Sequence, residues 1–213
     1  MVETGVGDVN GGSGSLTASV SGEKIPSTNG KGRGGMIPKR VRDEMNEQIK
    51  HEMESYYIYL SMVAWFHEHN LDGMAHWMRV QAHEEMIHAM KFFDHIIERG
   101  GTVELLALRQ LKTEWSSPLE AWKDAYAHEQ FVSDRVRTIT KVVREEMDFT
   151  AEPLCAWFNN EQIEEESNTS KAVANLEMVG DNRQGLLMLD REMGARAFPP
   201  GSPFDPLAYN VAP

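Results

Sequence analysis

The sequence predicts an all-α fold: a four-helix bundle with one long crossover between helices two and three, plus a short C-terminal fifth helix. Apolar residues recur at helical spacing in four long segments. Glycine and proline are scarce there, because ten of the 17 glycines precede residue 36 and five of the nine prolines lie from Pro199 onward. The connection over residues 100–117 reaches roughly 59 Å when extended, more than the roughly 42 Å of the second helix.

This distribution divides the chain into three regions. Residues 1–35, rich in Gly and Ser, are expected to form a disordered N-terminal extension, with Met36 as an alternative start. Residues 36–198 are long enough for one domain with its own core. Residues 199–213 form a Pro-rich tail, which cannot continue a helix.

The first two helices are joined by a short polar turn, so they are expected to be antiparallel. Helix one should run from Pro38 to about His69, and helix two from the end of the turn over residues 70–73 to Gly100 and Gly101. The apolar positions that define these helices are Met45, Ile49, Tyr56, Leu60 and Val63 in the first, and Met74, Met78, Ala82, Ala89, Phe92 and Ile96 in the second.

The third helix has a marked start, since Ser117, Pro118 and Glu120 have the spacing of a capping box with proline at the first helical position. Helix four should begin near Thr150, because Pro153 is tolerated only in a first turn, and should end at Gly180. A short fifth helix is expected over residues 185–195. Since the connection before helix three can cross the whole bundle, helices two and three should be parallel.

The net charge of −12 limits the classes of partner. A sequence pI near 5.1 without a basic block argues against nucleic-acid binding and favours cations as ligands. The single cysteine, Cys155, excludes an internal disulfide framework and favours a reducing compartment, so we expect a cytoplasmic protein. We expect no membrane association, since no apolar run has the length of a membrane span and the N-terminal extension lacks a signal-peptide core; organelle targeting by that extension stays open.

Each long helix also carries an acidic residue inside its apolar stripe, about halfway along. Any one of them would more often be solvated or paired with a base. Four carboxylates buried together without a counter-charge would each cost several kcal/mol, and no basic residue is expected at this depth. A cation or protons must therefore balance them. The residues that interrupt the stripes are Glu52 on helix one, Glu85 and His88 on helix two, Glu129 on helix three, and Glu161 and Glu165 on helix four.

Charge counting favours two divalent metal ions in this layer. The four carboxylates of Glu52, Glu85, Glu129 and Glu165 balance two dications, and neutral His88 adds one nitrogen ligand. Oxygen-rich ligation with one imidazole suits iron or manganese better than zinc. Residues three apart share a helix face, so Glu85 can bridge two metals while His88 binds one of them.

At these residues the chain resembles the bacterial non-haem ferritins, over about Ile37 to Phe198, and the glutamates with one Glu-x-x-His motif follow a pattern already described for ferritin-like di-iron bundles. The segments that carry the resemblance are residues 46–52 (NEQIKHE), 82–88 (AHEEMIH), 128–130 (HEQ), 157–166 (WFNNEQIEEE) and 185–193 (GLLMLDREM).

The resemblance implies ligands for two ferroxidase irons and a third iron. Tyr59 and Trp157 match a tyrosine and a tryptophan beside the family's centre, and Gln162 matches a position that binds no metal. Where Gln162 and Glu165 stand, bacterioferritins and rubrerythrins would have a second Glu-x-x-His motif. Met86 occupies the position of the bacterioferritin haem ligand, but we expect no haem here. The implied ligands are Glu52, Glu85 and His88 for the first iron, Glu85, Glu129 and Glu165 for the second, and Glu84, Glu161, Glu164 and Glu165 for the third.

The function implied is an iron-storage ferritin with ferroxidase activity, a Fe²⁺:O₂ oxidoreductase that stores ferric mineral in a homo-oligomeric cage of 24 subunits. Fe²⁺ and O₂ would be its substrates, and Tyr59 would give the centre either an electron or a hydrogen bond.

Two alternatives stay open from the residues: a di-iron or manganese carboxylate oxygenase acting on an organic substrate, and a metal-free bundle that serves only in assembly. Bound metal should displace protons from the crowded carboxylates, so metal binding should weaken as the pH falls.

Overall fold

The computed structural model describes residues 37–199 together with Ser202 and Asp205, and the predicted N-terminal extension and most of the predicted tail lie outside the described residues. Five helices make up the described chain, as predicted, and the all-α bundle is confirmed. No helix within this part is both long and apolar enough to cross a membrane. The helices are α1 (Lys39–Glu68), α2 (Asp72–Glu98), α3 (Pro118–Glu145), α4 (Glu152–Val179) and α5 (Arg183–Met193).

The helix ends follow the local chemistry of the sequence. Asn70 (φ 57°) and Met147 (φ 53°) have positive φ just after α1 and α3, and Gly180 follows α4 with φ 52° and ψ −133°, a conformation that favours glycine. At the start of α3, Ser117 Oγ accepts a hydrogen bond from the Glu120 amide at 3.1 Å, as the capping box predicts.

The second half of that capping box differs from the prediction. The Glu120 carboxylate accepts from the amide and hydroxyl of Ser116, at 2.7 and 2.6 Å, instead of from Ser117. Lys112 Nζ contacts the other Glu120 oxygen at 2.6 Å and so fixes the carboxylate in this position. The cap therefore joins the crossover connection to α3 as well as starting the helix.

Side-chain pairs give the order and direction of the helices. Arg40 at the start of α1 contacts Glu145 and Glu146 at the end of α3, at 2.9 and 2.7 Å, while Ser55 farther along α1 contacts His128. Helices α1 and α3 are therefore antiparallel. Since the short turn makes α1 and α2 antiparallel too, α2 and α3 are parallel, which is the predicted long crossover.

The crossover connection runs along α1 and is held by polar side chains on one face of that helix. Asn46 bonds the backbone of Thr102 and Glu104, at 3.3 and 2.9 Å. The amide of Arg109 donates to Glu54 at 3.2 Å, and Ser61 Oγ donates to the Lys112 carbonyl at 2.9 Å. These bonds satisfy backbone groups that a loop without secondary structure would otherwise leave unpaired.

Two apolar clusters form the core, one at each end of the bundle. Between them lies a layer of buried polar residues at the depth of Glu52 and Glu129. Packing on both sides excludes water from this layer and holds its side chains in place. Large buried residues of the first cluster are Tyr59, Phe66, Met74, Met78 and Trp122, and those of the second are Met45, Ile49, Phe92, Ile139 and Phe158.

Helix α5 packs closely against the beginning of α2. The Asp190 carboxylate accepts a hydrogen bond from the Met74 amide at 2.8 Å, so α5 caps the N-terminus of α2. The two backbones approach at Gly73, where an added Cβ would lie 1.7 Å from the Asp190 carbonyl oxygen. Helix α5 is thus part of the subunit core through Leu189 and Met193.

The substitution Gly73→Ala is expected to destabilise the protein by about 3 kcal/mol, because backbone atoms of α5 must move to admit the methyl group. Thermal unfolding of the metal-free protein measures the effect. The matched control is Gly185→Ala, where the nearest atom would lie 3.4 Å from the new Cβ and no loss of stability is expected. Equal stability of the two variants would show that α5 does not dock as described.

Candidate metal centre

The structure gathers the residues that interrupt the apolar stripes into one buried layer. Glu52 reaches it from α1, Glu85 and His88 from α2, Glu129 from α3 and Glu165 from α4, and none of these five is more than 3% exposed. Ionisable groups are almost never this buried unless they are paired or bind metal. The arrangement is therefore that of a binding centre and not of a solvated acidic face.

Two groups of candidate ligands share this layer. Glu52, Glu85 and His88 each offer an atom within 4.8 Å of the others, as the first predicted ligand set requires. His88, Glu161 and Glu165 form a second group by the same measure. The imidazole lies between them, with Nδ1 3.5 Å from Glu85 and Nε2 3.7 Å from Glu161.

Glu129 is held by neutral donors. The Tyr59 hydroxyl donates a hydrogen bond to one carboxylate oxygen, and Gln162 Nε2 donates to the other at 3.3 Å. Both donors are buried. Since neither donor carries a charge, an ionised Glu129 would have no counter-ion among these contacts, so either a proton or a metal ion must balance it.

Two buried glutamines in the layer were missed by the sequence interpretation. Gln48 donates to Glu52 at 2.9 Å, and Gln81 donates to Glu85 at 2.9 Å and to Glu165 at 2.8 Å. Each glutamine precedes its acid by four residues, which places the pair on one face of the helix. This repeated Gln-x-x-x-Glu spacing on α1 and α2 is the signal that could have identified them.

The pKa values show how the centre is balanced when it holds no metal. Burial, together with the charge of Glu85, raises the pKa of both Glu52 and Glu129 to about 8. Burial likewise raises the pKa of Glu165 well above its usual value. Burial opposes protonation of His88, but its contacts with Glu161 and Glu85 raise its pKa well above the usual value. In the metal-free protein, protons bound to these side chains therefore supply the positive charge that metal cations would otherwise supply.

One carboxylate oxygen is left without a partner. Glu52 Oε2 is buried and accepts no hydrogen bond from a donor group among residues 37–199, and Gln48 Oε1 likewise has no donor. Buried polar atoms are nearly always satisfied, so an orphaned carboxylate oxygen beside Glu85 and His88 is what a missing ligand would explain. The donor set of carboxylates and one imidazole fits iron or manganese.

The residues predicted for a third iron are only partly brought together. Glu161 joins His88 and Glu165, as described above. Glu164 is exposed, and Glu84 is bound by Arg196 at 2.5 Å; neither belongs to a ligand group among the described residues. Trp157 packs edge-on against His88 with ring centres 5.5 Å apart, as its predicted place beside the centre requires.

Arg196 corrects the expectation that no base lies at this depth. Its guanidinium donates to Gln81 Oε1 at 2.9 Å and to Glu84 Oε2 at 2.5 Å. The expectation was wrong because it considered only residues on the four bundle helices, whereas Arg196 belongs to the segment that follows α5. No local pattern near Arg196 indicates this contact.

Comparison with known proteins gives consistent matches. The model of the ferritin-like domain matches residues 42–179. The bacterial non-heme ferritin of Bacteroides fragilis is 35% identical over 161 residues, covering 76% of this chain and 100% of the relative. The protein of the same name from Staphylococcus aureus is 32% identical over 163 residues, covering 76% of this chain and 98% of the relative.

Solved structures agree with this match. The open-pore ferritin of the archaeon Archaeoglobus fulgidus is 39% identical, with a TM-score of 0.74, and the alignment covers 76% of this chain and 98% of that one. An engineered closed form of the same ferritin has a TM-score of 0.75 at 39% identity, with 76% of this chain and 99% of that one covered.

Proposed function

The chain belongs to the ferritin family, and we propose that it stores iron by oxidising Fe²⁺ with O₂ at the buried centre and holding the ferric product inside a shell of identical subunits. The observation that carries this proposal is the buried group of Glu52, Glu85 and His88 beside the carboxylates of Glu129 and Glu165. Glu52, Glu85 and His88 lie close enough together to hold one metal ion, and the buried Glu129 and Glu165 are, with Glu85, the ligands that we propose for a second.

The proposed ligands divide the work between two iron ions. Glu52, Glu85 and His88 would bind the first Fe²⁺, and Glu85, Glu129 and Glu165 the second, so Glu85 would bridge the pair. Each Fe²⁺ gives up one electron. Two ions together can reduce one O₂ to hydrogen peroxide, with two protons taken up. Carboxylates that surrender protons when Fe²⁺ binds are a nearby source of these protons.

We propose that Tyr59 acts as a hydrogen-bond donor that positions Glu129. Its hydroxyl donates to Glu129, and the side chain is fully buried. Burial, with the nearby Glu129 charge, raises the pKa of Tyr59 well above its usual value, so the hydroxyl keeps its proton and can go on donating. An electron-donating role for Tyr59 stays a prediction.

A shell is supported by the outer surface of the subunit. Large apolar side chains are exposed in several places, among them Phe149 at 69%, Met178 at 85% and Met188 at 65%. Exposed apolar groups of this size are typical of surfaces that pack against other subunits. The proposed number of 24 subunits comes from the family resemblance, and the cytoplasmic location stays a prediction.

One experiment separates storage from the alternatives: native mass and iron content per subunit after Fe²⁺ is added in air. Storage predicts a large shell that holds many more iron ions than its metal centres can bind. This iron should be a mineral that stays with the protein on gel filtration. A small oligomer that retains only about two irons per subunit would favour an oxygenase with the same ligand pattern. A protein that binds no iron would contradict the proposal.

A further inference from the structure

The segment that follows α5 returns over α2 and places a positive charge beside the metal centre. The Arg196 guanidinium contacts Gln81 at 2.9 Å and Glu84 at 2.5 Å, and it stacks over the Trp77 ring at 4.1 Å from the ring centre. The His76 ring donates to the Arg196 carbonyl oxygen at 2.7 Å, so the backbone of the segment is held as well.

The α2 surface under Arg196 is shaped for a guanidinium. Trp77, Gln81 and Glu84 are spaced four and three residues apart, so they form one continuous helix face. The aromatic ring offers a cation–π contact, and the two oxygen acceptors match the fork of an arginine. A lysine could supply the charge at this position but could not bind both acceptors with a rigid planar group.

A single residue, Gln81, links Arg196 to the buried carboxylates of Glu85 and Glu165. Gln81 accepts a hydrogen bond from Arg196 through its side-chain oxygen Oε1. Its side-chain nitrogen Nε2 therefore points the other way and donates to Glu85 and Glu165. On its other side the guanidinium holds the Glu84 carboxylate in an ion pair. Arg196 thus contacts one of the residues proposed to bind a third iron and, through Gln81, two of those proposed for the other irons.

We propose that Arg196 is a resident counter-ion that occupies the Glu84 position and limits the centre to two tightly bound metal ions. The inference rests on the proposed function, since it concerns the third ion of the same centre. A dication held by Glu161 and Glu165 must compete with the guanidinium for the Glu84 carboxylate, because the positive charge of Arg196 lies 2.5 Å from Glu84 Oε2 and repels a second cation there. The Arg196 side chain is 19% exposed, so its outer edge already borders solvent, into which it can withdraw.

The test is Co²⁺ binding to the metal-free, full-length protein, followed by calorimetry and by the visible absorption of Co²⁺. Co²⁺ is not oxidised by O₂ under these conditions, so the readout is independent of activity. The variants are Arg196→Gln, which removes the charge, and Arg196→Lys, which keeps it. The matched control is Arg191→Gln, an exposed arginine in α5.

We expect the wild-type protein, the lysine variant and the control to bind two Co²⁺ ions tightly and a third weakly. In Arg196→Gln the third ion should bind about tenfold more tightly, because the Glu84 carboxylate is no longer held by the guanidinium and becomes free to bind the ion. In a background that carries Glu84→Gln, the same arginine change should leave the third ion unaffected, since the carboxylate that it would free is absent.

Two results would overturn the proposal. One is a third Co²⁺ affinity in Arg196→Gln that equals that of the wild-type protein. The other is an equal weakening of all three ions with a lower melting temperature, which would make Arg196 a structural residue only. Failure of the proposed function would look different, because the wild-type protein itself would then lack the two tight Co²⁺ sites.

Discussion

Replacing Glu85 by glutamine is expected to lower the initial rate of Fe²⁺ oxidation at least about 100-fold, since loss of even an outer-shell partner of a metal site commonly costs 10- to 100-fold. Both proposed irons use Glu85 as a ligand, because its carboxylate has two oxygens. Glu85 lies with His88 and Glu52 in one ligand group. Glutamine keeps the volume and one oxygen, but it removes the charge that holds two dications together.

Stopped-flow absorbance after Fe²⁺ is mixed with oxygenated protein measures this rate. The matched control is Glu98→Gln, which changes an exposed glutamate on the same helix and should oxidise iron like the wild-type protein. Thermal unfolding of both variants checks that they fold. A folded Glu85→Gln protein with a wild-type initial rate would mean that oxidation takes place elsewhere.

His88→Ala should have a similar effect on the initial rate, because it removes the only nitrogen in the ligand groups. Glu161→Gln should differ, since Glu161 is 27% exposed and lies at the edge of the centre. That change is expected to spare the first turnover and alter later ones, when iron must leave the centre. Comparing single-turnover and multiple-turnover rates separates the two behaviours.

Sequence alone was sufficient for the features that depend on local spacing. The apolar period gave the helices, Ser117 and Pro118 gave the start of α3, and Glu85 with His88 gave the shared helix face. These features need only neighbouring residues, so no knowledge of the tertiary structure is required. The sequence also predicted that the acids lie at a similar depth in the bundle, because each is about halfway along its helix and the long crossover fixes the helix directions.

Features that depend on contacts between distant segments were not predictable in this way. Arg196 contacts Glu84 across 112 positions of the chain, and no pattern near either residue indicates the other. The Gln-x-x-x-Glu spacing could have paired Gln81 with Glu85, but its second hydrogen bond, to Glu165, 84 positions away, depends on how α2 and α4 pack. The close approach of α5 at Gly73 depends on a backbone contact that only the assembled fold defines.

Metal binding at the centre is expected to strengthen steeply as the pH rises through about 8, because bound protons compete with the metal. The carboxyls of Glu52 and Glu129 have pKa values raised to about 8, chiefly by burial. At neutral pH both therefore hold protons in the metal-free protein, and a metal ion must displace them. Calorimetric titration of Co²⁺ in buffers of different ionisation enthalpy counts the protons released.

At neutral pH the expected count is about two protons per pair of Co²⁺ ions from Glu52 and Glu129, with further protons from Glu165 and His88, whose pKa values are raised as well, and the count should fall as the pH rises. The control is Glu98→Gln, whose exposed position should leave both the count and the pH dependence unchanged. Affinity and proton release that do not vary with pH would mean that the carboxylates are already ionised in the metal-free protein. The proposed balance by protons would then be wrong.

The same pKa values require the stability of the metal-free protein to change with pH in the opposite direction. A carboxyl whose pKa is higher in the folded protein than in the unfolded chain stabilises the fold fully below the unfolded value of 4.5, and this contribution is lost as the pH rises through about 8. Glu52 and Glu129 should therefore make the metal-free protein less stable at pH 8 than near pH 5. Bound metal supplies the missing positive charge, so Co²⁺ should raise the melting temperature most at the alkaline end of this range, where the metal-free centre is least balanced.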